Sequence, residues 1–225
     1  MMEREMTMTI TQIIANHIAP YMKEHHFRYL KKCFYKIQND IAFCVQFDAT
    51  EGFVYATYFV MPLYIPCSTR YYTYGHRITA LPTSQLRPLS REATDDEIEK
   101  WCELLCHYLT DHVFPFFQRI STPKQLVKLV ERKLLLRKNL FSCPPVQIFS
   151  LLMFSYLQMG EYRTLLKIIR KYEKAIQTGG FFTDEVCNQY LDEINMVIHI
   201  MQEGNDTSQH YCSATIADTI SKCFN

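Results

Sequence analysis

The sequence predicts an α+β fold, an N-terminal helix with a mainly antiparallel sheet of about four strands followed by a helical C-terminal half of about five helices. Three observations carry that expectation. Fourteen Phe and Tyr residues fall between Phe27 and Tyr74, in short runs that suit strands. Short turns join those runs, which favours a meander over parallel pairing. From Thr94 onward apolar residues recur at helical spacing instead.

The chain opens with Ile10, Ile13, Ile14, Ile18 and Tyr21 near a 3.6-residue period, an amphipathic helix over about residues 9–24 that Pro20 disturbs near its end. From Lys31 to Ile37 the residues are β-prone, and Gln38-Asn39-Asp40 is a turn. Ile41, Phe43, Val45 and Phe47 then alternate with Ala42, Cys44 and Gln46, a strand with one apolar face. Phe53–Met61 reads as a third strand stopped by Pro62 and Pro66, and Tyr71–Thr79 as a fourth. Residues 81–94, with Pro82, Pro88 and several hydroxyls, read as an irregular connector.

Thr94-Asp95-Asp96-Glu97 is an N-cap followed by acids that suit the positive end of a helix, and Pro115 should kink that helix near its end. Thr122-Pro123 starts a second helix and Pro144-Pro145 a third. Met159-Gly160-Glu161 turns the chain into a fourth, Tyr162–Gln177, closed by Gly179-Gly180. Thr183 caps a fifth that ends near Gly204. The expected organisation is a sheet domain with its closing helix over 1–120, a helical region over 121–204 and a loosely attached tail over 205–225.

Composition removes several classes. A chain of 225 residues that is 48% hydrophobic, with six Gly and nine Pro, can bury a core and is not an intrinsically disordered protein. Its 24 basic and 23 acidic residues exclude a globally basic nucleic-acid binder, though not a local patch. No apolar run reaches the length of a membrane span, and Met1-Met2-Glu3-Arg4-Glu5-Met6 is too polar for a secretory signal. Nine cysteines without the spacing of a disulfide scaffold read as thiols of a reducing cytoplasm.

The chemistry-bearing patterns are sparse. There is no C-x-x-C, no H-E-x-x-H and no G-x-S-x-G, and the glycines are too scattered for a phosphate loop. Cys102-x-x-x-Cys106-His107, with His112 beyond, resembles half a metal motif, but the same spacing lays Ile98, Cys102, Leu105, Leu109 and Val113 on one core-facing stripe. His25-His26 stands at the end of the first helix, where a histidine serves as a dipole partner. No catalytic residue, metal ligand or cofactor is therefore assigned. Two candidate surfaces remain. One is the aromatic and basic run holding Arg70, Tyr72, Tyr74, His76 and Arg77, in which alternation sends Tyr72, Tyr74 and His76 to one face of the strand and Arg77 to the other. The second is a basic patch, Lys124, Lys128 and Arg132 on one helix and Lys167 and Lys171 on another, with Arg163, Arg170 and Lys174 continuing it. Residues 91–111 are acidic by contrast, so the unlike faces could pair internally.

His26-Phe27-Arg28-Tyr29 and Phe34-Tyr35-Lys36, followed by Ile41–Phe47, resemble the opening of the bacterial family catalogued as domain of unknown function 4304, over about residues 8–135. Met61–Pro66 and Tyr72–Ile78 also fit its strand-to-strand passage, while Phe47-Asp48 departs from its aromatic-polar pair. The resemblance implies a fold and a bacterial origin, and no activity. Phe149–Lys174, with Tyr156, Gly160, Tyr162 and Tyr172, is similar to one tetratricopeptide-like helical hairpin; without repeats at a 34-residue period it reads as an isolated hairpin. The functional expectation is a cytoplasmic, non-catalytic module that binds a protein partner, of an immunity-like or regulatory kind. A nucleic-acid binder using the helices near 124–138 and 163–174 is the alternative, and an enzyme of unfamiliar type the third.

Overall fold

A computed structural model of the chain describes residues 8–70, 74–80, 85–135, 145–178 and 183–225. Contacts divide it into two units, one from the described residues of 1–38, 42–61 and 74–119 and one from those of 39–41, 62–73 and 120–225. The class is α+β, as the sequence predicts.

In the first unit, α1 (Ile10–Glu24) begins where the Gln12 side chain accepts a 2.7 Å hydrogen bond from the Thr9 N–H, and Pro20 lies inside it without stopping it. The sheet has six strands: β1 (Arg28–Leu30), β2 (Cys33–Gln38), β3 (Ile41–Ala49), β4 (Phe53–Pro62), β5 (Tyr74–Arg77) and β6 (Leu89–Ser90). The first five are neighbours in chain order, and β6 pairs with β4. β4 pairs antiparallel with β5 from Thr57↔Arg77 to Val60↔Tyr74, and with β6 at Phe53↔Ser90 and Val54↔Leu89. Asn39 and Asp40, at φ 49° and 65°, make the two-residue turn between β2 and β3.

Three sequence expectations change here. Lys31 and Lys32 are not strand but a turn, at φ 46° and 66°, joining β2 to an unforeseen β1. The connector 81–94 contributes β6. The strand expected over 71–79 ends at Arg77, where a 3-10 turn, Ile78–Ala80, takes over, and residues 71–73 lie outside the described residues. β3 also departs from the one-faced pattern, because Ala42 and Cys44 are as buried as Phe43 and Val45.

Helix α2 (Asp95–Tyr108) is capped reciprocally by Thr94 and Glu97. Pro115 has no N–H to return to the Asp111 carbonyl, and the chain meets this with a π-helical turn, Leu109–Val113, running into α3 (Phe114–Arg119). Aromatic rings then join this end to the sheet: Phe117 lies 4.9 Å from Phe43, and Phe47 6.3 Å from Trp101. Tyr21 ties α1 to the same segment, its hydroxyl 2.6 Å from Thr110 Oγ1 and 3.0 Å from the Cys106 carbonyl.

The second unit holds α4 (Pro123–Leu135), α5 (Pro145–Gln158), α6 (Tyr162–Thr178), α7 (Asp184–Glu203) and α8 (Asn205–Phe224). α5 is its axis, packing on α4, α6, α7 and α8. The sequence explains why: residues 151–157 are apolar all round apart from Ser155, and all are buried. Gly160, at φ 68°, turns α5 into α6. Most of 205–225, expected as a loose tail, is the helix α8, whose Ser208, Cys212, Thr219, Cys223 and Phe224 are buried. Apart from Phe224 at its end, that buried face is two hydroxyls and two thiols, small side chains of little hydropathy contrast, so the apolar period that marks other helices is faint there. Among the described residues, no helix is long and apolar enough to cross a membrane.

Candidate functional site

The expected surface on β5 does not gather as one. Tyr74 is buried and stacked 5.3 Å from Phe116, so it serves the core. His76 shares that face but is exposed, with its ring 6.0 Å from Tyr58. Arg77 is exposed on the opposite face, its guanidinium 4.2 Å above the Tyr55 ring in a cation–π contact. Arg70 belongs to the second unit, and Tyr72 lies outside the described residues.

Two shallow grooves follow α2. One, of about 480 Å³, is lined by His17 and Ile18 of α1 and by Glu99, Cys102, Glu103, Cys106 and His107. The other, of about 240 Å³, lies among Leu86, Leu104, His107, Tyr108, Asp111 and His112. The half-motif Cys102/Cys106/His107 faces the first. Burial pushes the Cys102 thiol up to about 12 and the Cys106 thiol to about 11, so both stay protonated at neutral pH, a state that suits packing rather than nucleophilic attack. Among the described residues no three His, Cys, Asp or Glu side chains are placed to hold a metal ion together.

The basic helices belong to the second unit and present their charges to water. Lys124, Lys128 and Arg132 are exposed on α4. On α6, Arg163, Lys167, Arg170, Lys171 and Lys174 are exposed along one face, while Leu165, Ile168, Ile169, Tyr172 and Ile176 are buried on the other. At a rise of 1.5 Å per residue the α6 stripe is about 17 Å long. Leu166 sits within it, between Arg163 and Arg170 on adjacent turns, and is 41% exposed.

Among the described residues, Arg163, Lys167, Arg170 and Lys171 do not form the internal charge pairing that the sequence allowed. Glu131, the one acid in the basic stretch 119–138, accepts a 2.6 Å hydrogen bond from the Tyr156 hydroxyl of α5. The Lys222–Asp218 ion pair and the His199–Glu203 contact lie within single helices. The result is a fixed line of unneutralised cations on a well-packed helix, with one apolar side chain among them. Sequence spacing located the cations; the exposure of Leu166 had no separate signal.

No protein-family model, curated protein or solved structure matches the chain.

Proposed function

We propose that the protein is a cytoplasmic, non-catalytic binding module whose contact element is the exposed face of α6, and that its partner is an acidic protein surface. One observation carries the reading: Leu166 is exposed inside a stripe of Arg163, Lys167, Arg170 and Lys171 that no described acid neutralises. Cations in water steer and orient a partner but add little net affinity, whereas a desolvated apolar anchor surrounded by them supplies contact energy. A phosphate backbone would use the charges and leave Leu166 idle.

The basic side chains of α4 favour a second reading, in which both helices hold a nucleic acid. Affinity capture from host cells, repeated after nuclease treatment, separates the two. Capture by the full chain should survive nuclease and be lost both in Leu166→Ser and in a quadruple Gln variant at Arg163, Lys167, Arg170 and Lys171. Retention of the same partner by both variants refutes the reading. Loss on nuclease treatment, with Leu166→Ser unaffected, replaces it by nucleic-acid binding.

A further inference from the structure

Two cysteines far apart in the chain meet inside the second unit. Cys67 lies in the segment after β4 and Cys223 in the last turn of α8, 156 residues later, and their Sγ atoms are 4.0 Å apart. Cys67 Sγ is also 3.9 Å from Thr219 Oγ1, one helical turn before Cys223. Both sulfurs are reduced. Cys67 is half-buried and reachable from solvent, whereas Cys223 is buried at 6% exposure. A solvent-reachable thiol over a shielded partner is the arrangement of an attacked and a resolving sulfur.

We infer that Cys67 and Cys223 form a dithiol pair that closes to a disulfide when the chain meets a small-molecule disulfide, fastening the end of α8 to the segment after β4. The exchange balances in two steps. The Cys67 thiolate attacks glutathione disulfide, breaking its S–S bond, forming a mixed disulfide and releasing one glutathione thiolate, which takes up the Cys67 proton. The Cys223 thiolate then attacks Cys67 Sγ, forms the protein S–S bond and expels the second glutathione, which takes the Cys223 proton. Two electrons pass from the protein to glutathione disulfide, which leaves as two reduced molecules.

Contact at 4.0 Å brings the sulfurs within a side-chain rotation of bonding distance. Burial, with the neighbouring Cys223 sulfur, holds the Cys67 thiol above its ordinary range. The pair is therefore slow to react at neutral pH and faster in alkali, which suits a response to sustained oxidation rather than catalytic turnover. The closed loop spans 156 residues, so the bond removes much freedom from the unfolded chain.

The test incubates the full chain in glutathione redox buffers, alkylates the remaining thiols and maps the peptides by mass spectrometry. Alkylatable cysteines should fall from nine to seven, with Cys67 and Cys223 joined before any other pair. The rate should rise about tenfold per pH unit while the attacking thiol stays mostly protonated. Dithiothreitol should reverse the change. The oxidised chain should melt roughly 5–15 °C higher. Cys67→Ser, at a half-buried position, should retain the fold and lose both the linked peptide and the gain in melting temperature. A different pair closing first, or a mixed disulfide on Cys67 that Cys223 does not resolve, overturns the inference on the unmodified protein, whether or not a variant folds.

Discussion

Ser150 Oγ donates a 2.5 Å hydrogen bond to Glu193 Oε1, and the Tyr172 hydroxyl reaches Oε2 of the same carboxyl at 3.3 Å. Glu193 is thus an α7 acid turned inward between α5 and α6. Burial raises its pKa above 4.5, and the bonds from Ser150 and Tyr172 only partly oppose that rise. Tyr172, Tyr190 and Tyr211 are the phenols around it, all raised themselves and neutral across the acidic and neutral range.

The sign of the pH dependence follows. The folded state holds the Glu193 proton more tightly than the unfolded chain does, so its contribution is fully present below about pH 4.5. It is lost as pH rises through the elevated folded value and is constant beyond. Urea midpoints of the wild type and Glu193→Gln, taken from pH 4.5 upward, should differ in slope, with the wild type losing stability across that window and the variant losing less. Parallel curves would show that Glu193 ionises as freely folded as unfolded.

A second buried hydroxyl pair gives an asymmetric prediction. Ser155 Oγ donates to the Leu151 carbonyl at 2.7 Å, so the 2.9 Å contact with Tyr64 is a bond that Tyr64 donates. Tyr64→Phe removes a donor and leaves Ser155 satisfied, a loss of about 1 kcal/mol. Ser155→Ala strands the Tyr64 hydroxyl in a fully buried site and should cost about 2–3 kcal/mol. The double variant should be more stable than Ser155→Ala alone, measured by denaturant midpoints, because no polar atom is then left unpaired.

How far residues announced these features depended on whether the signal was local. The Asn39-Asp40 turn and the caps at Thr94 and Thr183 lie within a few residues of what they organise, and each forms as read. The helical pattern of α8 is weak in sequence because, before Phe224 at its end, its buried positions are Ser208, Cys212, Thr219 and Cys223, a stripe with little hydropathy contrast. The basic stripe of α6 was legible from spacing, since exposed charge and a buried opposite face both leave a period. Alternation alone leaves open which face of β5 is covered, and only β4 pairing and the Phe116 ring turn Tyr74 inward. Cys67 and Cys223, 156 residues apart, leave no sequence trace of their contact.

The β1–β2 hairpin exposes a local conflict. Its two turn residues, Lys31 and Lys32, both hold positive φ, at 46° and 66°, a region that L residues other than Asn, Asp and Gly rarely adopt. Two-residue hairpin turns of this geometry favour Asn-Gly. Replacing both, as Lys31→Asn with Lys32→Gly, should stabilise the protein by about 1 kcal/mol, read as a higher denaturant midpoint at unchanged slope. No change would mean that the lysines relax the turn at no cost.

Gly75 makes the opposite case, a position where only a missing side chain fits. It pairs with Phe59 across the β4–β5 ladder, and a Cβ placed there would overlap the Tyr58 carbonyl oxygen and crowd the Phe59 backbone. Backbone cannot swing aside as the tip of a long side chain can, so Gly75→Ala must lift β5 away from β4. The Tyr74 ring would then leave Phe116, and the cross-strand pairs from Thr57 to Val60 would loosen with it. The expected loss is about 3 kcal/mol, with hydrogen exchange accelerating first in residues 57–60 and 74–77. The same substitution at Gly52, where nothing lies within 4 Å of the added carbon, is the control and should change stability by less than about 1 kcal/mol. Equal losses at the two positions would show that backbone entropy, rather than close approach of β4, sets the requirement for glycine at 75.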